Sequence, residues 1–151
     1  MLVASLCTMS AALRVGDTLP DLASFNLEGN LPETLKGKIL VVDFWASWCL
    51  PCAESFPIMD ELQKKYGERV VFIGVNVDQK AAKMQAFLKK HPVSFTVVRD
   101  ANQKLVEVVE PEAMPTSFII DVDGKVRFLH SGFYPEETRG QYINEIDSLL
   151  K

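Results

Sequence analysis

The sequence has no surplus of positive charge. Sixteen Lys and Arg stand against twenty Asp and Glu, a net charge of -4, so no basic field is available for phosphates and a nucleic-acid partner is not expected. Cysteine is scarce, at three residues in 151. That is too few for a disulfide-stapled miniprotein, and a chain of this length buries a core without staples. The only histidines, His91 and His130, lie far apart, so the ligand spacing of a structural zinc site is missing and no metal is expected. The charge-free stretch Met1–Leu13 is too short to span a bilayer. Repeats, low-complexity tracts and linkers are likewise missing from Val15 onward. What remains is close to the globular average, 48% hydrophobic and 24% charged, which excludes a disordered or fibrous chain and predicts one domain over 15–151.

Residues 1–14 admit two readings: the tail of an export signal with Ser10-Ala11-Ala12 as its small-x-small cleavage site, or a frayed terminus of a cytoplasmic protein. Cys7 in this segment reads as a bystander thiol, because Leu6 stands where a lipid-attachment site wants a small residue. Downstream, strands and helices alternate. The runs Leu40–Trp45 and Val70–Val77 are nearly continuous and apolar, as in strands covered on both faces. Leu50–Tyr66 places Phe56, Met59, Leu62 and Tyr66 on one helical face, ended by Gly67. Lys80–His91 is a second helix with Met84, Phe87 and Leu88 inward, stopped by Pro92. Phe95–Val98 and Gln103–Val109 give a short strand and a short helix. Asp123-Gly124 between Ser117–Asp121 and Lys125–Leu129 predicts an antiparallel hairpin. Glu136–Leu150 closes the chain as an amphipathic helix through Tyr142, Ile143, Ile146 and Leu149, and Gly16–Gly29 is expected to form a small hairpin ahead of the first long strand. The result is an α/β domain with a mixed sheet.

Chemistry concentrates in Trp48-Cys49-Leu50-Pro51-Cys52, where a buried strand gives way to a helix. Cys49 falls at the helix N-terminus, whose free N–H groups and dipole favour a thiolate. Cys52 follows one turn later on the same face, within disulfide reach.

The stretch Asp43-Phe44-Trp45-Ala46-Ser47-Trp48-Cys49-Leu50-Pro51-Cys52 resembles a thioredoxin-superfamily active site. Pro57 matches the family's proline inside the first helix, and Met114-Pro115-Thr116 its cis-proline loop. Within the superfamily the chain is similar to the TlpA/ResA-like branch, with an N-terminal extension at Val15–Gly29 and an inserted strand-helix segment at about Ala81–Glu110. The resemblance implies a thioredoxin fold and a thiol-disulfide oxidoreductase, with Cys49 as nucleophile and Cys52 as resolving thiol. It also implies a surface for substrate made by Trp48, Leu50, Pro51, Met114 and a cis Pro115, with no cofactor beyond the Cys49–Cys52 pair. Partners would be protein disulfides or dithiols and an electron-donor thiol protein. A monomer outside the cytoplasm is expected, with a role such as cytochrome c maturation. A general cytoplasmic thioredoxin-like reductase is the alternative; a peroxiredoxin-type peroxidase or a copper-binding thiol module fits less well.

Two departures from the branch bear on mechanism. Ser55 stands three places after Cys52, where the branch often carries an acid, and Glu54 is rotated about 100° away, so it reads as a solvated charge. Asp43 lies six residues before Cys49, where thioredoxins keep a buried acid beneath the second cysteine. Their lysine partner is replaced by Gly74. Desolvation without that cation should raise the pKa of Asp43, as suits an acceptor for the Cys52 proton.

Overall fold

The two apolar runs become neighbouring parallel strands at the centre of the sheet, because only a central position covers both faces of such a run. The computed structural model describes residues 11–151; Cys7 and Ser10 of the proposed leader lie outside the described residues. Strands β1 (Ile39–Trp45) and β2 (Val70–Asn76) are buried along their whole length. With β3 (Thr96–Arg99), β4 (Thr116–Ile120) and β5 (Val126–Ser131) they form one sheet of order β3-β2-β1-β4-β5. β1, β2 and β3 run parallel, and β4 and β5 antiparallel, so the sheet is mixed as expected. The helices are α1 (Leu50–Tyr66), α2 (Ala81–Lys90), α3 (Lys104–Val109) and α4 (Pro135–Leu149).

Alternation along the strands divides the core in two. Ile39, Val41 and Trp45 of β1 face Phe56, Met59 and Leu62 of α1, together with Tyr142 and Ile146 of α4. Leu40, Val42 and Phe44 face the other way, against Leu105 and Val109 of α3 and Leu13 and Leu22 of the N-terminal segment. Asp43 therefore shares the α1–α4 side with Trp45.

The N-terminal segment does not form the expected hairpin. It makes a short 3₁₀ turn at Leu22–Phe25 and one isolated bridge at each end, Thr18 to Lys125 and Glu28 to Arg99. Its backbone partners lie at opposite edges of the sheet: Gly16 and Leu19 donate to Val126 and Gly124, while Glu28 exchanges two bonds with Arg99. Open edges offer unpaired N–H and C=O groups, so both ends of the segment pair with the sheet instead of with each other. Arg99 fixes the second attachment, its guanidinium donating to Glu28 Oε2 at 2.9 Å and to the carbonyls of Asp78 and Gln79 at 3.1 and 3.0 Å. The short helix α3 starts at Lys104, since Gln103 takes a left-handed conformation at φ 62°.

Register places Gly74, Asp43 and Ser117 side by side across β2, β1 and β4, with His130 next on β5. A methyl group at Gly74 would come within 3.1 Å of Trp45 Nε1 and 3.2 Å of Phe95 Cε2. The rings of Trp45 and Phe95 thus occupy the room a side chain would need, which is why no lysine reaches Asp43 from this position. Gly74→Ala is expected to destabilise the protein by about 1–3 kcal/mol through overpacking. An unchanged urea midpoint would show that the two rings move aside freely.

Candidate active site

Strand β1 ends at Trp45, and the chain turns through Ala46, Ser47 and Trp48 before α1 begins. That turn is anchored from β2. Asp78 accepts from the Ser47 backbone N–H at 3.0 Å and from its hydroxyl at 2.9 Å, and the Asn76 amide donates to the same carboxylate at 2.7 Å. Ser47 and Asp78 are 31 residues apart, so this clamp sets where the helix starts relative to the sheet.

Cys49 is the N-cap of α1: its Sγ accepts from the Cys52 backbone N–H at 3.2 Å. A sulfur in this position receives both an orphan helix N–H and the positive end of the dipole. Pro51 follows in the first turn, where a missing N–H costs nothing. Cys49 and Cys52 are joined in a disulfide with Cα atoms 5.3 Å apart. Cys52 has no exposed surface. Cys49 keeps 5%, so it is recessed, though it is the more accessible of the pair. Trp48 and Leu50 rise around it, each 72% exposed, and Pro51 is exposed too. The Met114–Pro115 bond is cis, with Met114 half-buried and Pro115 buried. Glu54 is exposed, while Ser55 is buried and donates to the Cys52 carbonyl at 2.9 Å. Pro57 lies inside α1.

Asp43, in the middle of β1, is completely buried. Ser117 Oγ donates to its Oδ1 at 2.8 Å, and Oδ2 has no partner. A serine hydroxyl carries one proton; with that proton on Asp43, the short contact between Ser117 and Tyr142 requires the phenol to donate. The result is an ordered chain, Tyr142 to Ser117 to Asp43. Burial holds the Tyr142 phenol far above its ordinary range, and the negative charge of Asp43 adds to this, so it stays a donor. Burial also pushes the Asp43 carboxyl up from 3.8 to about 7, against a smaller downward pull from the Ser117 hydrogen bond. Beside Tyr142 lies the His130 ring, 5.0 Å centroid to centroid, with Nε2 at 2.6 Å from Glu145 Oε2.

The disulfide between Cys49 and Cys52, the burial of Asp43 and the cis Met114–Pro115 bond agree with the sequence expectations, whereas Ser117, Tyr142 and Asp78 were not singled out as site residues. Tyr142 shows in the sequence only as one apolar position on an amphipathic helix. The Leu50-Pro51 dipeptide between the cysteines is neutral, and Lys83 and Lys90 line the cleft beside Cys49. Among the described residues no three His, Cys, Asp or Glu side chains converge as a metal site, and no helix is long and apolar enough to cross a membrane.

Comparison with known proteins places these features in a family context. The family model described as Redoxin matches residues 14–146. The thiol-disulfide oxidoreductase ResA of Bacillus cereus is 34% identical over 137 residues, covering 89% of this chain and 79% of that protein. A crystal structure from Chlorobium tepidum, provisionally assigned as a thiol:disulfide interchange protein DsbE, is 36% identical. It superposes with a TM-score of 0.84 over 93% of this chain and 100% of its own. The exposed lipoprotein thioredoxin of Streptococcus pneumoniae is 32% identical, with a TM-score of 0.63 over 73% of this chain and 86% of that one.

The raised carboxyl makes stability depend on pH in a defined direction. Between about pH 4 and 7 the folded protein holds a proton on Asp43 that the unfolded chain releases, so the stabilising contribution is full below 3.8 and lost as pH rises through 7. Its size is about 4 kcal/mol in the limit of complete burial. Urea melts of the oxidised protein should show stability falling across this window, and Asp43→Asn should flatten that fall and be the more stable form at pH 8. A variant less stable than the parent at pH 8 would contradict the assignment.

Proposed function

The chain belongs to the Redoxin family and is a thiol-disulfide oxidoreductase similar to ResA, and we propose that it is an extracytoplasmic reductase of protein disulfides in which Cys49 attacks and Cys52 resolves. One observation carries the division of labour. The sulfur at the N-cap of α1, receiving the Cys52 amide hydrogen, belongs to the only cysteine of the pair with exposed surface. In the reduced protein that amide and the helix dipole favour a Cys49 thiolate. The thiolate attacks one sulfur of a client disulfide; that bond breaks, the mixed disulfide forms, and the departing client sulfur takes up a proton. Cys52 then gives its proton to Asp43 and attacks Cys49 Sγ. The second client sulfur leaves, the client has gained two electrons, and the protein holds the Cys49–Cys52 disulfide. A donor thiol protein returns it to the dithiol, and no group beyond the sulfur pair is needed.

Four features support the finer parts of this reading. The unpartnered Oδ2 of Asp43 and its lifted carboxyl suit a group that takes and returns a proton near neutral pH, and Ser117 holds the other oxygen in place. Exposed Trp48 and Leu50, with half-buried Met114 next to the buried Pro115, offer an apolar surface suited to a polypeptide. The neutral Leu50-Pro51 dipeptide favours a moderate thiolate, and therefore reduction of clients, over strong oxidation. The likeness to an exposed lipoprotein thioredoxin supports a site of action outside the cytoplasm.

Single-turnover reaction with a chromophoric disulfide tests the assignment. Cys52→Ser should stop at a stable mixed disulfide through Cys49, and Cys49→Ser should not react. In Asp43→Asn the mixed disulfide should form normally but resolve about a hundredfold more slowly near pH 7, recovering as pH rises and Cys52 ionises unaided. Resolution at the parent rate across that range would make Asp43 structural. The direction of electron flow has its own test: equilibrated with glutathione, the disulfide should resist reduction, and Leu50→His should make the protein the stronger oxidant. Oxidation of reduced unfolded proteins as fast as a dedicated oxidase would reverse that direction.

A further inference from the structure

Beside the redox pair, a cleft of about 600 Å³ opens between the start of α1 and the helix α2 of the inserted segment. Cys49, Trp48 and Leu50 form one wall; the other is made by α2, with Phe87 at its base and Lys83 and Lys90 above. Lys83, Phe87 and Lys90 recur at helical spacing, so one face of α2 presents an apolar residue between two cations. Both lysines are exposed, and neither enters an ion pair among the described residues.

Helix stability does not account for Lys83, which lies in the first turn of α2, where there is no acidic residue and a cation works against the helix dipole. Lys90 shares the last turn with Lys89, where a cation suits the dipole, and it faces the same cleft. The acid lining the cleft, Asp78, is 5% exposed and spends its carboxylate on Ser47 and Asn76. Two exposed lysines against one buried carboxylate leave the cleft with a surplus of positive charge, on a chain whose net charge is -4.

We infer that this cleft docks an extended client segment in which the cysteine under attack is flanked by an apolar residue and by Asp or Glu, the apolar residue against Phe87 and Trp48 and the acid between Lys83 and Lys90. The inference rests on the proposed reductase reading and adds to it a client class. It also gives the inserted segment a task, since α2 supplies the discriminating wall. Exposed ion pairs are individually weak and screened by salt, so the effect belongs to selection among clients and not to the chemical step.

Three synthetic peptides sharing one internal disulfide and differing only in their flanking residues, paired Glu, Gln or Lys, serve as probes. At low salt, kcat/KM for reduction should favour the Glu peptide over the Lys peptide by about tenfold, and the three should converge at about 0.5 M salt. The double variant Lys83→Glu/Lys90→Glu should reverse the order. Lys36→Glu/Lys38→Glu, with the same charge change at the far end of β1, should keep it. A change in Cys49 thiolate content alone would move all three rates together and leave the order untouched. Equal rates for the three peptides, or an order that survives charge reversal in the cleft, overturn the docking inference and leave the reductase standing. Failure to reduce any of the three overturns both.

Discussion

A carboxyl group in the middle of the central strand is the constraint around which the rest of the structure is arranged. Asp43 has no exposed surface, one hydrogen bond and no cation across the strand pair. A charged acid so placed costs several kcal/mol unless it is neutralised or paired. The protein neutralises it part of the time, by lifting its proton affinity into the neutral range. The neighbours follow from this. Gly74 is bare because Trp45 and Phe95 fill the space over it. Ser117 donates the single hydrogen bond that keeps Oδ1 from being orphaned, and Tyr142 fixes which way Ser117 points. Filling the same position with an apolar residue would make a firmer core and remove the proposed proton acceptor.

Cys49 and Cys52 belong to the core cluster on the side of the sheet that Asp43 faces. Cys49 draws on the end of a helix, which is in contact with solvent, while Cys52 one turn later faces the dry layer between α1 and the sheet. The two sulfurs thus sit in different dielectric settings although three residues apart. The helix end stabilises charge on Cys49, and burial resists charge on Cys52. The proposed mechanism asks for a proton acceptor on the buried side and for a helix start held firmly against the sheet. The Asp78 clamp on Ser47 meets the second need, and Arg99 ties the same loop to the N-terminal segment through Glu28. The segment that closes both sheet edges therefore also steadies the loop behind the cysteines.

What could be read in the sequence follows the range of each interaction. LVVDFW and VVFIGVN announce central strands because burial on both faces leaves few polar positions, and helix α1 was legible to the residue because Phe56, Met59, Leu62 and Tyr66 keep one face. The CxxC at a strand-to-helix junction was visible as local chemistry. Contacts that depend on register were not. Ser117 lies opposite Asp43 only once β1 and β4 are aligned, 74 residues apart in sequence, and Tyr142 reaches Ser117 only once α4 is docked. The N-terminal segment read as a hairpin because nothing local reveals that two distant edges compete for its backbone. The lysines of α2 had a faint signal, their spacing around Phe87, but their direction depends on how α2 packs.

The central claim is that Asp43 changes protonation in the neutral range inside the folded protein. Its side-chain carbon can be followed directly by carbon-13 NMR, with Asp43→Asn identifying the resonance, while pH is varied across 3 to 9 in the oxidised protein. The expected titration midpoint is near 7. A midpoint close to the ordinary value of 3.8 would mean that the carboxyl is charged throughout the working range and cannot take the proton of Cys52.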